Sequence, residues 1–137
     1  MAVDRKALVA RFASEVLESG DPTACDQLLV EDFSFSGNDN ASSREEFKEA
    51  LRSMRRKFPE MSFTLRQALV DGDDGCAIIE IDAVHGGAFL GIEPTGRRFR
   101  VTAAYILRFR EDRIASATVI LDALSVLIQI GAWSPPA

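Results

Sequence analysis

At 137 residues, 47% of them apolar, the chain fits one domain with its own hydrophobic core; a chain of this size buries about two-thirds of its unfolded surface. The formal net charge of −5 argues against a nucleic-acid partner, because binding a phosphate backbone needs clustered positive charge. No apolar run approaches the ~20 residues that cross a bilayer, and the opening Met-Ala-Val-Asp-Arg-Lys has no apolar run behind it of the kind a secretory signal carries. A cytoplasmic, membrane-free protein is therefore expected. Cys25 and Cys76 lack metal-type spacing and partner histidines, so they read as small buried hydrophobes in a reduced compartment.

Leu8, Phe12 and Val16 recur at spacing four, with Val9 and Leu17 beside them. This predicts an amphipathic helix over residues 4–19, ended by Gly20. Asp21-Pro22 starts a second helix over about 22–29, with Asp21 as N-cap and proline in the first turn, where its missing N–H costs nothing. Phe33 and Phe35 then stand at strand spacing, and Gly37-Asn38-Asp39-Asn40 makes a polar turn. Ser43-Arg44-Glu45-Glu46 is a capping box. The helix it opens carries Phe47, Leu51 and Met54 on one stripe and stops at Phe58-Pro59, because the residue before proline is pushed out of the helical region. Arg52, Arg55, Arg56 and Lys57 cluster on this helix, as a solvated face or an anion patch.

Beyond residue 60 the period changes to two. Met61, Phe63, Leu65, Gln67 and Leu69 share one predicted face, and Asp71-Gly72-Asp73-Asp74-Gly75 is a hairpin turn. The next strand sets Ala77, Ile79, Ile81, Ala83 and His85 on one face. Residues 85–100 contain four glycines, one proline and the sole histidine, so they form a long connection rather than a helix. The following strand alternates cleanly: Phe99, Val101, Ala103, Tyr105, Leu107 and Phe109 on one face, Arg98, Arg100, Thr102, Arg108 and Arg110 on the other. After Glu111-Asp112, the strand from Arg113 to about Leu121 is apolar on both faces, as a central strand or a dimer contact would be. Asp122 opens a short helix ending at Gly131. Helices followed by a four-stranded antiparallel meander make an α+β fold, with the helices packed on one side of a curved sheet.

His85-x-Gly87-x-x-x-Gly91, then Pro94-Thr95-Gly96, then a strand, then Asp122 and Leu127-Ile128-Gln129-Ile130-Gly131, resembles the SnoaL-like polyketide cyclases of the nuclear transport factor 2-like superfamily. The resemblance covers roughly residues 85–131. It implies a cone-shaped curved antiparallel β-sheet, a cystatin-like α+β barrel with the N-terminal helices over it and an apolar pocket inside. It also implies a homodimer or homotetramer formed through the sheet, and acid/base chemistry on a polyketide- or terpenoid-like molecule without metal or cofactor. Counting back from Gln129-Ile130-Gly131, the family's catalytic aspartate falls at Val119 and its strand histidine at Tyr105, so neither residue is carried over.

The candidate residues are therefore the polar exceptions on or beside apolar strand faces. Asp122 is either a pocket carboxylate acting as general base or a helix N-cap. His85 either polarises a substrate or fixes the glycine-rich connection by bonding backbone groups. Tyr105 is a pocket phenol donating to substrate or a core tyrosine. Phe33 and Phe89 are assigned to the substrate wall, and Asp32 and Asn38 to turns or caps. The alternative to catalysis is a ligand-binding or dimerisation module on the same fold. Epoxide hydrolysis ranks lower, since it wants an arginine between carboxylates inside the pocket and the arginines of the 98–110 strand face away from Tyr105.

Overall fold

The computed structural model describes residues 4–37 and 40–136; Asn38 and Asp39, at the tip of the expected turn, lie outside them. Asp4 caps α1 (Arg5–Arg11), which runs on into a π-helical stretch, Phe12–Glu18. Ser19 N–H donates to the Ser14 carbonyl five residues back, and the widened turn buries Phe12, Ala13, Val16 and Leu17 together. Asp21 caps α2 (Pro22–Leu28) through Thr23 N–H. The expected capping box forms at Ser43 and Glu46 and opens α3 (Arg44–Lys57), which ends one residue before Phe58-Pro59. No helix among the described residues is long and apolar enough to cross a membrane.

Six strands among the described residues form one curved sheet in the order β2-β1-β6-β5-β4-β3. They are β1 (Leu29–Gly37), β2 (Asn40–Ser43), β3 (Ser62–Asp71), β4 (Asp74–Val84), β5 (Arg98–Arg110) and β6 (Arg113–Leu121). The antiparallel meander β3–β6 is present as expected. The sheet as a whole is mixed, however, because β1 lies parallel beside β6 and β2 pairs antiparallel with β1. That placement makes β6 a central strand; its inner face is buried at Ile114 and Ala117, while Ile120 on its outer face is 58% exposed. Helix α4 (Ala123–Gln129) then crosses the end of the sheet. There β6 has stopped at Leu121, opposite Ala103, and the Gln129 amide takes over its role. It accepts from Arg100 N–H at 2.8 Å and donates to the Arg100 carbonyl at 2.8 Å, so one side chain substitutes for a missing strand neighbour.

The register shifts at three places among the described residues: between Leu29 and Ser34 of β1 beside β6, and at two bulges of one extra residue, which bend a sheet. In β3 the register passes from Leu65↔Ile79 to Gln67↔Ile78, leaving Arg66 over. The bulge reverses the alternation, so Ala68 and Val70 pack inward and Leu69 is 49% exposed, contrary to the strict period of two. In β6 the extra residue is Ala115, between Phe109↔Ile114 and Arg108↔Ser116. The inner face of the sheet and the helices over it enclose the core, with Phe12, Phe33, Leu17, Leu29, Ile79, Leu107 and Ile114 essentially without solvent contact. Cys25 is buried there, and Cys76 is half-buried on the outer face.

Candidate functional site

The inner face is not filled throughout. A hollow of about 240 Å³ remains between α3, the β4–β5 connection and the strands. Met54 and Phe58 enter it from α3 and its exit, Phe89 from the connection, Phe99, Val101 and Tyr105 from β5, and Phe35, Val119 and Leu121 from β1 and β6. These strand residues reach one space because they share the inward parity of neighbouring strands. Val119 lies directly opposite Tyr105 in the β5–β6 register.

Tyr105 is the only hydroxyl-bearing or titratable side chain in this lining among the described residues. Its ring packs edge-on against Phe12 of the π-helical stretch, with centroids 5.9 Å apart and planes at 66°, a favourable aromatic geometry. Burial raises the phenol well above its ordinary value, and desolvation is the cause, with no hydrogen bond contributing. The group is therefore a protonated donor without a partner among the described residues. Among the described residues the fully buried polar side-chain atoms without a partner are Arg44 Nε and His85 Nε2. The Tyr105 oxygen is not one of them, so it keeps contact with the hollow, where a ligand oxygen would take the place of water.

The connection that supplies Phe89 is built around His85. The imidazole is completely buried. Thr95 N–H donates to its Nδ1 at 3.1 Å, and the Thr95 hydroxyl lies 2.9 Å from the same nitrogen. The N–H aimed at Nδ1 identifies that atom as an acceptor, so in the neutral ring the proton sits on Nε2, which has no partner among the described residues. His85 N–H donates to the Arg97 carbonyl and Gly96 N–H to the His85 carbonyl. The two ends of the connection are thus clasped together. Gly87 lies so close to the end of α3 that a Cβ there would stand 2.6 Å from the Lys57 Cβ. At the tip, Phe89 and Ile92 exchange both backbone hydrogen bonds around Leu90 and Gly91, whose φ values are 50° and 77°. Two positive φ angles make this a tight hairpin turn. The turn aims Phe89 back onto Phe99, where the rings stack at 6.3 Å.

Asp122 lies elsewhere. It is exposed, and its Oδ1 accepts the Ser125 N–H at 3.1 Å as the N-cap of α4. Phe33 also stands outside the hollow: it is buried in the core against Phe47, centroids 5.4 Å apart, and Phe35, two residues nearer the end of β1, holds the wall position instead. Asp32 is exposed and pairs with Arg110 at 2.8 Å, which holds its carboxyl below the usual range. The structure therefore brings Tyr105 and Phe89 together at the hollow and leaves His85, Asp122 and Phe33 out of its lining.

The family description of SnoaL-like polyketide cyclases matches residues 7–130. The chain belongs to this family. Among solved structures it is similar to TsrD from Streptomyces laurentii, at 24% identity over 97% of this chain and 100% of that one, with a TM-score of 0.84. It is similar also to IdmH from Streptomyces antibioticus, a candidate polyketide cyclase, at 24% identity over 94% and 99% of the two chains with a TM-score of 0.80. A Catenulispora acidiphila protein with a ketosteroid isomerase-like fold follows at 20% identity, 98% and 100% coverage and a TM-score of 0.75. At these identities the likeness establishes the fold. No curated protein matches the chain. The SnoaL-like ending Gln129-Ile130-Gly131 has a structural explanation here: the glutamine pairs with β5, and Gly131 closes α4 with a φ of 79°.

The position of Asp122 yields a first prediction. Asparagine caps a helix as well as aspartate does, so Asp122→Asn should leave both the urea midpoint and any turnover at the wild-type value. Asp122→Ala should cost about 1 kcal/mol. A large loss of turnover in the asparagine variant would instead mark the carboxylate as chemical.

Proposed function

We propose that the chain takes an apolar, oxygen-bearing small molecule of polyketide or terpenoid type into the hollow. There it promotes a proton-transfer step of the cyclisation or isomerisation kind, without metal or cofactor. The observation that carries this reading is the Tyr105 hydroxyl, which has no partner among the described residues, in an otherwise apolar wall. A 1,3-dicarbonyl chain enolises without a protein base. Folded into a dry hollow, its enol carbon is held against a second carbonyl, and orientation alone supplies much of the rate. As the carbon–carbon bond forms, charge develops on the attacked oxygen, where the Tyr105 hydroxyl donates; the enol proton ends on the new hydroxyl. Tyr105→Phe should lower kcat/KM by roughly 10²-fold, followed as loss of the enolised diketone absorbance with the product identified by mass. Wild-type turnover in this variant would remove Tyr105 from the chemistry.

A second reading, in which the hollow holds a ligand without transforming it, is favoured by one observation. Val119 stands where the family resemblance puts the catalytic aspartate, and no carboxylate or imidazole lines the space among the described residues. Native mass spectrometry of the purified chain separates the two: a retained small molecule that is released unchanged supports the second.

We also infer a cytoplasmic homodimer formed through the outer face of the sheet. Ile78, Ala104 and Ile120 lie in one cross-strand row, and Leu69, Cys76 and Ile106 in the next. Leu69, Ile106 and Ile120 are 49%, 43% and 58% exposed. Beside them runs a ladder of both signs, Arg66–Glu80–Arg100–Asp82–Arg98, and a two-fold axis can set such a ladder against its own copy. Ile120→Glu should convert a dimer to a monomer in sedimentation velocity. A monomeric wild type at tens of micromolar would rule the dimer out.

A further inference from the structure

The charge and size of the hollow restrict its occupant beyond family membership. Except for Tyr105, every lining side chain is Phe, Met, Ile, Val or Leu. Among the described residues no cationic side chain lines the hollow to meet an anionic ligand. Along β5 the arginines alternate outward: Arg98 and Arg100 pair with Asp82, Arg108 with Asp74 and Arg110 with Asp32. Arg55, on α3, donates to the Met61 and Leu17 carbonyls and lies over the Phe63 ring, which keeps its guanidinium out of the lining. A carboxylate entering this space would lose its hydration and gain one phenol hydrogen bond, which does not compensate a buried charge. The volume of about 240 Å³ falls below the ~300–1,000 Å³ of drug-sized sites and amounts to roughly eight water volumes.

Resting on the reading that the hollow binds a ligand, the geometry points to a narrower substrate class: a compact, uncharged molecule of one or two rings that presents one acceptor oxygen to Tyr105. Its carboxylate counterpart is excluded. The half-buried members of the lining are Phe35, Met54, Phe89, Val119 and Leu121, and the volume of the hollow sets the limit on a third ring.

Isothermal titration calorimetry of the full chain at pH 7 tests this with matched probes. 2-Acetylnaphthalene carries the oxygen, 2-ethylnaphthalene lacks it, 2-naphthoate is charged, and 2-acetylanthracene adds a ring. The ketone should bind about tenfold more tightly than the hydrocarbon, the margin of one hydrogen bond, and at least a hundredfold more tightly than the naphthoate. The anthracene should bind at least tenfold more weakly than the two-ring ketone. Tyr105→Phe should bring the ketone down to the hydrocarbon and leave the hydrocarbon unmoved. Naphthoate binding as tightly as the ketone overturns the charge selection while leaving ligand binding in place. An anthracene equal to the two-ring ketone overturns the size limit, and an unchanged ketone affinity in Tyr105→Phe overturns the seat on the phenol. Failure of every probe to bind overturns this inference together with the reading beneath it.

Discussion

Val119→Asp is expected to raise turnover by roughly 10²-fold on an enolisable diketone, and to make the protein less stable as the pH rises. Val119 lines the hollow and lies opposite Tyr105 across the β5–β6 ladder, where facing Cβ atoms stand about 4.5–5.5 Å apart. A carboxylate at this position would sit within reach of any molecule bound to the phenol. A positioned general base contributes ~10²–10⁴-fold, and the lower figure suits a site not evolved around this one. The apolar wall raises the carboxyl pKa above the ~3.9 of the unfolded chain. A raised carboxyl binds more protons in the folded state than in the unfolded one, so the variant is least penalised below about pH 4 and loses stability as pH climbs through the folded value. At pH 7 the penalty should be on the order of 3 kcal/mol. Urea unfolding at pH 4.5 and 7.5 reads the stability, and the rate should rise with pH over the window in which stability falls. A folded variant with unchanged turnover would mean that a missing base does not limit the chemistry, as for a substrate that enolises by itself; no turnover in either protein would favour the ligand-holding reading.

Where local chemistry decides the structure, the sequence was a sufficient guide. The caps at Asp21, Ser43 and Asp122 each bond an early helix N–H as their residue types predict, and the inward face of β5 is the set read from its alternation. Tyr105 was legible as a wall residue for that reason. What escaped is set by contacts distant in sequence. Nothing in β1 or β6 announces that they lie parallel side by side, because the pairing depends on where α3 and the meander carry the chain. The bulge at Arg66 was invisible to a strict period of two, so Gln67 and Leu69 were placed on the wrong face. Phe33 and Phe35 share a parity, and only their depth along β1 decides which of them meets the hollow. Two residues of strand shift a side chain by roughly 6–7 Å, enough to move it from wall to core. His85 was correctly grouped with the inward apolar set, but its partner Thr95 lies across a connection whose path the alternation does not encode.

That partnership makes His85→Ala the second large effect, and its sign is structural. The ring is fully buried and takes the Thr95 N–H on Nδ1. Truncation leaves a space the size of an imidazole at the point where both ends of the connection meet, at a cost of roughly 2–4 kcal/mol by comparison with other buried large-to-small changes. For a domain of this size that corresponds to a fall of about 8–16 °C in Tm. The same change releases residues 86–97 from their clasp, so a protease should cut there much faster than in the wild type, and Phe89 loses its fixed place against Phe99. His85→Asn offers the control: the asparagine side-chain oxygen can occupy the place of Nδ1 and accept from Thr95, so it should recover about half the lost stability and most of the protection. Turnover should follow protection, falling in His85→Ala no further than in Phe89→Ala and returning in His85→Asn. A His85→Asn variant that is protected and stable yet inactive would break that correlation and assign the imidazole a direct part in the reaction.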